Sequence, residues 1–355
     1  MLYHIFYPLS SDYSFLNVFR YITFRSAYSG VTALVLSMLM GGMLIRMLRV
    51  FQVGEKIRDD GPKSHVIKSG TPTMGGLLIL STLIASTLLW ADLTNPYIWL
   101  VLLATIGFGL IGLVDDVMKL KKDDGMTAKV KLVLQVLLSI VIGVYLIYFD
   151  PSRSEYATRL YIPFFKEFQP DLGGWYLLLI VVTIVSTSNA VNLTDGLDGL
   201  AIGSVIIVSI VFYVFTYIAG HAELAAELNV PKVVGAGELS VLCAAMIGAG
   251  LGFLWFNCHP AQVFMGDTGS LPVGALLGMA ALVTRQELLL VVVGGVFVVE
   301  TLSVILQVAS FRLLGRRAIA CSPLHNHLLF RGENESKIVV RFWIGSVLLA
   351  VVAIA

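Results

Sequence analysis

The carboxylates most suited to chemistry fall in three short polar stretches, each beside a long apolar run. The stretch 112–122 holds Asp115 and Asp116 followed by Lys119, Lys121 and Lys122. Adjacent helical residues point about 100° apart, so the two carboxylates have different tasks, one holding a metal while the other faces a substrate. The stretch 189–201 reads Asn189-Ala-Val-Asn192-Leu-Thr-Asp195-Gly-Leu-Asp198-Gly-Leu-Ala201. Asp195 and Asp198 share a helical face with Asn192 one turn back, and Gly196 and Gly199 let a ligand approach the backbone. An ordinary connector uses the same residue types. The stretch 257–270 adds Asn257, Phe264, Asp267 and Ser270, with Asp267 in a glycine-flanked turn before a helix. Oxygen donors of this kind, with waters and substrate phosphates, suit Mg²⁺ rather than zinc or copper.

Two further segments carry polar chemistry. Residues 59–76 mix Lys63, His65, Lys68, Thr71 and Thr73 with glycines just before an apolar run. Ammonium groups and backbone amides at a helix start grip phosphate; a basic segment touching anionic lipid is the alternative. The order Gly-Lys-Ser/Thr of a Walker A loop is missing. Residues 321–327 place Cys321, His325, Asn326 and His327 together. With Cys258 and His259 they raise the question of a zinc site, but no Cys-x-x-Cys or helical His-x-x-x-His spacing supports one. Phosphate binding or pocket ordering is the better expectation.

These segments are positioned by a membrane scaffold. The chain has 355 residues, 57% of them hydrophobic and 13% charged, with mean hydropathy +0.87; a soluble domain carries about 25% charged residues. The formal charge of +1 suggests no nucleic-acid partner. Three cysteines form no paired framework and are expected to be free thiols. The first 30 residues lack a signal-peptide pattern, so the first apolar run is expected to remain as a membrane helix. A crossing needs about 20 apolar residues. Ten runs qualify, near 28–48, 75–90, 97–114, 130–149, 175–188, 200–219, 239–256, 271–284, 288–314 and 338–355. The ninth is long enough to tilt or break, and it carries Glu300 and Gln307 on one inward face. Segments after the first, third and ninth runs hold 17 of the 24 basic residues. Cytoplasmic loops carry the Lys and Arg excess, so these three are cytoplasmic and both termini lie outside. Helix parity then puts the 189–201 and 257–270 stretches on the same side, although neither contains Lys or Arg. One all-α polytopic domain, 1–355, with a one-sided catalytic face is the expectation.

In this order the motifs resemble the phospho-N-acetylmuramoyl-pentapeptide transferase (translocase I) family of the polyprenyl-phosphate N-acetylhexosamine-1-phosphate transferase superfamily. The resemblance runs over Phe15-Leu-Asn-Val-Phe-Arg-Tyr-Ile-Thr-Phe-Arg25, Gly70-Thr-Pro-Thr-Met-Gly-Gly76, Val114-Asp-Asp116 and the 189–201 stretch. It continues over Trp255-Phe-Asn257, Pro260-Ala-Gln-Val-Phe-Met-Gly-Asp267, residues 294–307 and Val340-Arg-Phe-Trp343. It implies ten transmembrane helices in the bacterial cytoplasmic (inner) membrane, outward termini, a cytoplasmic active site and a homodimer. The implied reaction moves phospho-MurNAc-pentapeptide from UDP-MurNAc-pentapeptide to undecaprenyl phosphate with Mg²⁺, giving lipid I and UMP in peptidoglycan synthesis.

By motif position the resemblance makes Asp115, Asp116 and Asp267 the catalytic carboxylates, with Asp267 the Mg²⁺ ligand. Lys68, Asn192, Asp195, Asp198, Asn257, Phe264 and Gln307 would line the nucleotide side, Phe264 stacking on uracil. Thr73, Asn189, Ser270, His325 and His327 complete the substrate contacts, and Lys68, Lys122 and Lys131 hold the anionic groups. Direct attack by the lipid phosphate and a covalent aspartyl intermediate both remain open. The family's three consecutive histidines appear here as His325, Asn326 and His327, so the middle imidazole is replaced by an amide that cannot titrate. The alternatives are transfer of GlcNAc-1-phosphate or another sugar-1-phosphate to the same lipid and, in a different class, an ion-coupled transporter using Glu300 and the aspartates.

Overall fold

The computed structural model describes residues 1–50, 70–122, 125–149, 158–163, 165 and 168–355. Among these the regular elements are helical, and the only bridge pairs Arg159 with Asp171. Every apolar run becomes a helix: α1 (Ile22–Val50), α2 (Gly76–Trp90), α3 (Pro96–Lys122), α4 (Ala128–Tyr148), α5 (Tyr176–Thr194), α6 (Leu200–Gly220), α7 (Leu239–Asn257) and α8 (Asp267–Val283). The ninth run breaks at Gly294 into α9 (Glu287–Val293) and α10 (Gly295–Leu314). A short α11 (Leu324–Phe330) precedes α12 (Glu335–Ile354). Among the described residues eight helices are long and apolar enough to cross a membrane, and α2 and α8 are shorter apolar helices. The chain is a multi-pass membrane protein.

With lipid as solvent, helices associate through close backbone approach and interhelical hydrogen bonds. Small residues make that approach between α1 and α7. A Cβ on Gly248 would lie 1.9 Å from the Gly30 carbonyl oxygen, and one on Gly252 would lie 2.4 Å from Ser37 Cβ. Hydroxyls tie the same layer: Ser29 Oγ bonds Ser86 Oγ (3.1 Å) and the Val241 carbonyl (3.0 Å).

The innermost element is α8, in which all 17 residues are buried. A Cβ on Gly274 would strike the backbone of Thr187 and Ser188 in α5 at 2.6 Å, so α8 lies flush against α5. Ser188 Oγ donates to the Leu271 carbonyl at 2.9 Å in the same contact. A helix surrounded on every side by protein need not match the bilayer thickness, which accounts for its modest length.

At the end remote from the aspartates, Arg25 of α1 is buried and makes a two-pronged pair with Glu238, 2.6 and 2.5 Å. The Asp92 amide donates to the same carboxylate at 3.1 Å. The Arg25 guanidinium also lies over the Tyr3 ring, 4.6 Å from its centroid. This knot joins α1, the end of α2 and the start of α7.

Candidate active site

The site is built on the first turn of α8. Residues 264–266 run beside 72–76: Phe264 N–H donates to the Pro72 carbonyl (2.8 Å), Gly75 N–H to the Phe264 carbonyl (2.8 Å) and Gly76 N–H to the Met265 carbonyl (2.9 Å). Gly266 then turns at φ +70, where a side chain would be strained and its Cβ would meet Asp116 Oδ2 at 2.7 Å and Thr73 Oγ1 at 2.9 Å. The helix start is gripped from two sides. A Cβ on Gly76 would lie 2.1 Å from Gly269 N, and one on Gly112 would lie 2.1 Å from the Asp267 carbonyl oxygen.

Asp116 caps this helix from α3. Its carboxylate accepts from Asp267 N–H (3.3 Å), Thr268 N–H (2.9 Å) and Thr268 Oγ1 (2.7 Å). The first amides of a helix lack intrahelical acceptors and favour negative charge, so Asp116 positions α8. Asp115 points elsewhere, as its place one residue earlier requires. Asp115 Oδ1 accepts the Met126 amide at 2.6 Å, and Oδ2 lies 2.9 Å from Lys119 Nζ and 3.2 Å from Lys131 Nζ. Both ammonium groups also reach Asp267 Oδ2, Lys119 at 2.9 Å and Lys131 in a shorter contact. Asp267 Oδ1 accepts from Asn192 Nδ2 at 2.6 Å, and that amide also donates to Ser270 Oγ at 2.8 Å.

One oxygen from each of Asp115, Asp116 and Asp267 lies within 4.8 Å of the others, and all three side chains are buried. This oxygen-only donor set fits Mg²⁺. Lys119 was not among the expected site residues. Its signal was present, because it stands four residues after Asp115 and three after Asp116, where a helix brings side chains together.

The remaining expected residues divide into two groups. Thr73, Lys131, Asn192, Phe264 and Ser270 gather around the α8 start. Asn189 is one turn away on α5, donating to Gln135 Oε1 at 2.8 Å. Asp195 ends α5, half-buried. Other amides and imidazoles are engaged in holding loops. Asn257 accepts the Gly199 amide (3.1 Å) and donates to the Val263 carbonyl (2.9 Å). Gln307 accepts the Ala318 and Ile319 amides (3.0 and 3.1 Å) and donates to the Ile319 carbonyl (3.0 Å).

His325 is buried against Glu300 of α10, with Nδ1 3.1 Å from Oε2. Its Nε2 edge faces Gly196, where a Cβ would lie 2.2 Å away. His327 Nδ1 accepts the Ala320 amide at 3.2 Å. Asp198 is buried beside His259 and Glu335. Among the described residues no cysteine joins a group of three or more metal-binding side chains. Lys68 and the side chain of Lys122 lie outside the described residues.

A mostly apolar cavity of about 300 Å³ opens between α5 and the broken α9–α10 pair. Leu179, Val182, Val291, Phe297 and Leu302 line it, and Ala190, next to Asn189, reaches it from the site side.

The model of Glycosyl transferase family 4 matches residues 98–285, which contain all three aspartates. The phospho-N-acetylmuramoyl-pentapeptide-transferase signature 1 matches residues 68–80, which include 72–76 beside the α8 turn. The phospho-N-acetylmuramoyl-pentapeptide-transferase of Pelobacter propionicus is 53% identical over 357 residues, covering 100% of this chain and 99% of its own. Those of Citrifermentans bemidjiense and Syntrophus aciditrophicus are each 52% identical with the same coverage.

Proposed function

Because this chain belongs to the phospho-N-acetylmuramoyl-pentapeptide transferase family, we propose that it transfers phospho-MurNAc-pentapeptide from UDP-MurNAc-pentapeptide to undecaprenyl phosphate, forming lipid I and releasing UMP. The observation that carries the reading is the meeting of Asp115, Asp267, Lys119 and Lys131 at the start of the buried α8. We place the reaction on the cytoplasmic face of a bacterial inner membrane, where the Lys and Arg excess of the flanking segments lies, and assign the protein a homodimeric state by family resemblance.

Phosphoryl transfer is mostly positioning and charge stabilisation. Lys119 and Lys131 stand where a diphosphate and an incoming phosphate bring negative charge together. Asp115 and Asp267 hold those ammonium groups in place, and Asp116 fixes the α8 turn that carries Asp267. Mg²⁺ held by Asp267 with Asp115 or Asp116 would supply further positive charge to the donor's diphosphate, offsetting the charge that develops as UMP leaves. A phosphomonoester loses its second proton at a pKa of about 6, so the lipid phosphate needs no strong base. Asn192, bonded to both Asp267 and Ser270, links the nucleotide side to the reacting side. The apolar cavity between α5 and α9–α10 suits the hydrocarbon of the polyprenyl acceptor.

The test is UMP release by the purified protein given UDP-MurNAc-pentapeptide, undecaprenyl phosphate and Mg²⁺. UMP formed with this donor, and lost in Asp267→Asn, is the expected outcome. Release from UDP-GlcNAc but not from the muramoyl donor would instead move the protein to the sister sugar-1-phosphate activity.

A further inference from the structure

Asp198 is 4% exposed, and two other segments hold it. Its Oδ2 lies 3.0 Å from His259 Nδ1 and accepts the Ala261 amide at 3.1 Å. Its own backbone N–H donates to Glu335 Oε1 at 3.0 Å, and Glu335 Oε2 lies 3.8 Å from the same His259 nitrogen. The result is a clasp. It ties the turn after α5 to the loop after α7 and to the first residue of α12.

The next residue, Gly199, takes φ +79 and gives its amide to Asn257, so the turn has a left-handed corner immediately after the clasp. The imidazole is 42% exposed while both carboxylates are buried. A hydrogen bond to a charged group is stronger than a neutral one, and a buried carboxylate deprived of its donor is costly. Leu197 packs the middle of the turn against Ile338 and Val339, and the clasp fixes its Asp198 end.

We propose that His259 and Glu335 are positioning residues for donor binding: they hold Asp198, and through it the Asp195–Asp198 turn, in the form that receives the nucleotide. The proposal rests on the transferase reading for the nature of the donor. It also makes a prediction that reading alone does not. Asn192, one turn earlier on α5, is anchored independently by Asp267 and Ser270. Asp115, Lys119 and Lys131 sit on α3 and α4. Loosening the clasp thus frees the Asp198 end of the turn and leaves the reacting groups in place. Affinity for the donor falls while the rate of the bound complex does not.

Steady-state UMP release separates these quantities. In His259→Phe the KM for UDP-MurNAc-pentapeptide is expected to rise about ten-fold or more, the effect of losing one charge-assisted hydrogen bond. kcat and the KM for undecaprenyl phosphate should stay within about two-fold. His259→Asn places an amide N–H near the position of Nδ1 and should recover most of the donor affinity. Glu335→Gln keeps the oxygen that accepts the Asp198 amide and should be mild, whereas Glu335→Met should resemble His259→Phe.

An unchanged donor KM in His259→Phe would overturn the proposal, as would a fall in kcat with KM unmoved. So would an Asn variant as impaired as the Phe variant, because the ring itself would then be what matters. A wild-type protein that releases no UMP from any donor would refute the transferase reading instead.

Discussion

Gly112 is the residue where α3 touches the α8 turn, and replacing it with alanine perturbs the site without changing any polar group. The added Cβ would stand 2.1 Å from the Asp267 carbonyl oxygen, 2.5 Å from its carbon and 2.8 Å from Thr268 N. These are backbone atoms of a fully buried helix, so no flexible side chain can yield. Restoring an ordinary contact of 3.4 Å from 2.1 Å requires α3 and α8 to separate by about 1.3 Å. The same separation stretches the bonds from Asp116 to Asp267 N–H and Thr268 N–H, now 3.3 and 2.9 Å. It also moves Asp267 away from Asp115. A displacement of about 1 Å costs roughly 100-fold in rate, or about 2.7 kcal/mol of barrier. Overpacking a core costs about 1–3 kcal/mol of stability, so the variant should remain folded. The assay is UMP release under saturating substrates, with thermal unfolding in detergent as the check on folding. Gly76→Ala, whose Cβ would lie 2.1 Å from Gly269 N, should behave alike from the other side of the turn. Gly42→Ala, with nothing within 4 Å, should leave activity unchanged. A folded Gly112→Ala protein with kcat within about three-fold of wild type would refute the claim that this close approach sets the catalytic geometry.

Two other perturbations test separate parts of the molecule. Lys131→Met removes an ammonium shared by Asp115 and Asp267, so kcat/KM should fall about 10- to 100-fold. The Mg²⁺ concentration for half-maximal rate should decrease, because a competing cation has left the carboxylates; an increase in Mg²⁺ requirement would contradict the shared-site geometry. Arg25→Met strands the buried Glu238 at the opposite end, a loss of about 3–5 kcal/mol read as a lowered Tm. Activity well below the new Tm should persist, and adding Glu238→Met should restore most of the stability.

The helices were legible because a bilayer demands long apolar runs, and each run from 28–48 to 338–355 appears as one, with the break in the ninth at Gly294. The common location of Asp115, Asp116 and Asp267 was legible from the Lys and Arg excess beside the first two combined with helix parity for the third, whose stretch lacks basic residues. What a sequence does not reveal is which polar group meets which. Asp116 caps a helix that begins 151 residues later, and Lys119 pairs with an aspartate 148 residues away. Asn257 and Gln307 each hold loop backbone, contacts the sequence could not show because an amide that caps a loop is the same residue type as one that reads a base. His259 drew attention only as a zinc ligand beside Cys258, whereas its partners turned out to be Asp198 and Glu335, distant in sequence and unremarkable alone.

These placements separate two kinds of polar residue by the rigidity of what carries them. Asp267 heads a helix with no exposed residue, held by glycine contacts to α2 and α3 and by small-residue contacts to α5. Groups that must meet a transferring phosphoryl within a fraction of an ångström belong on such an element, since loose positioning forfeits catalysis. The turn 195–199, the loop 258–261 and α11 with His325 are connections at the rim, each fixed by a few long-range hydrogen bonds. Recognition of a large nucleotide-sugar donor tolerates, and for entry and release benefits from, local opening there. The division explains why the rim uses His259, Glu335, Asn257 and Gln307 as fasteners. A small apolar cluster of Leu197 and Leu200 with Ile338 and Val339 packs the turn against α12, and polar contacts that can be broken one at a time complete its order.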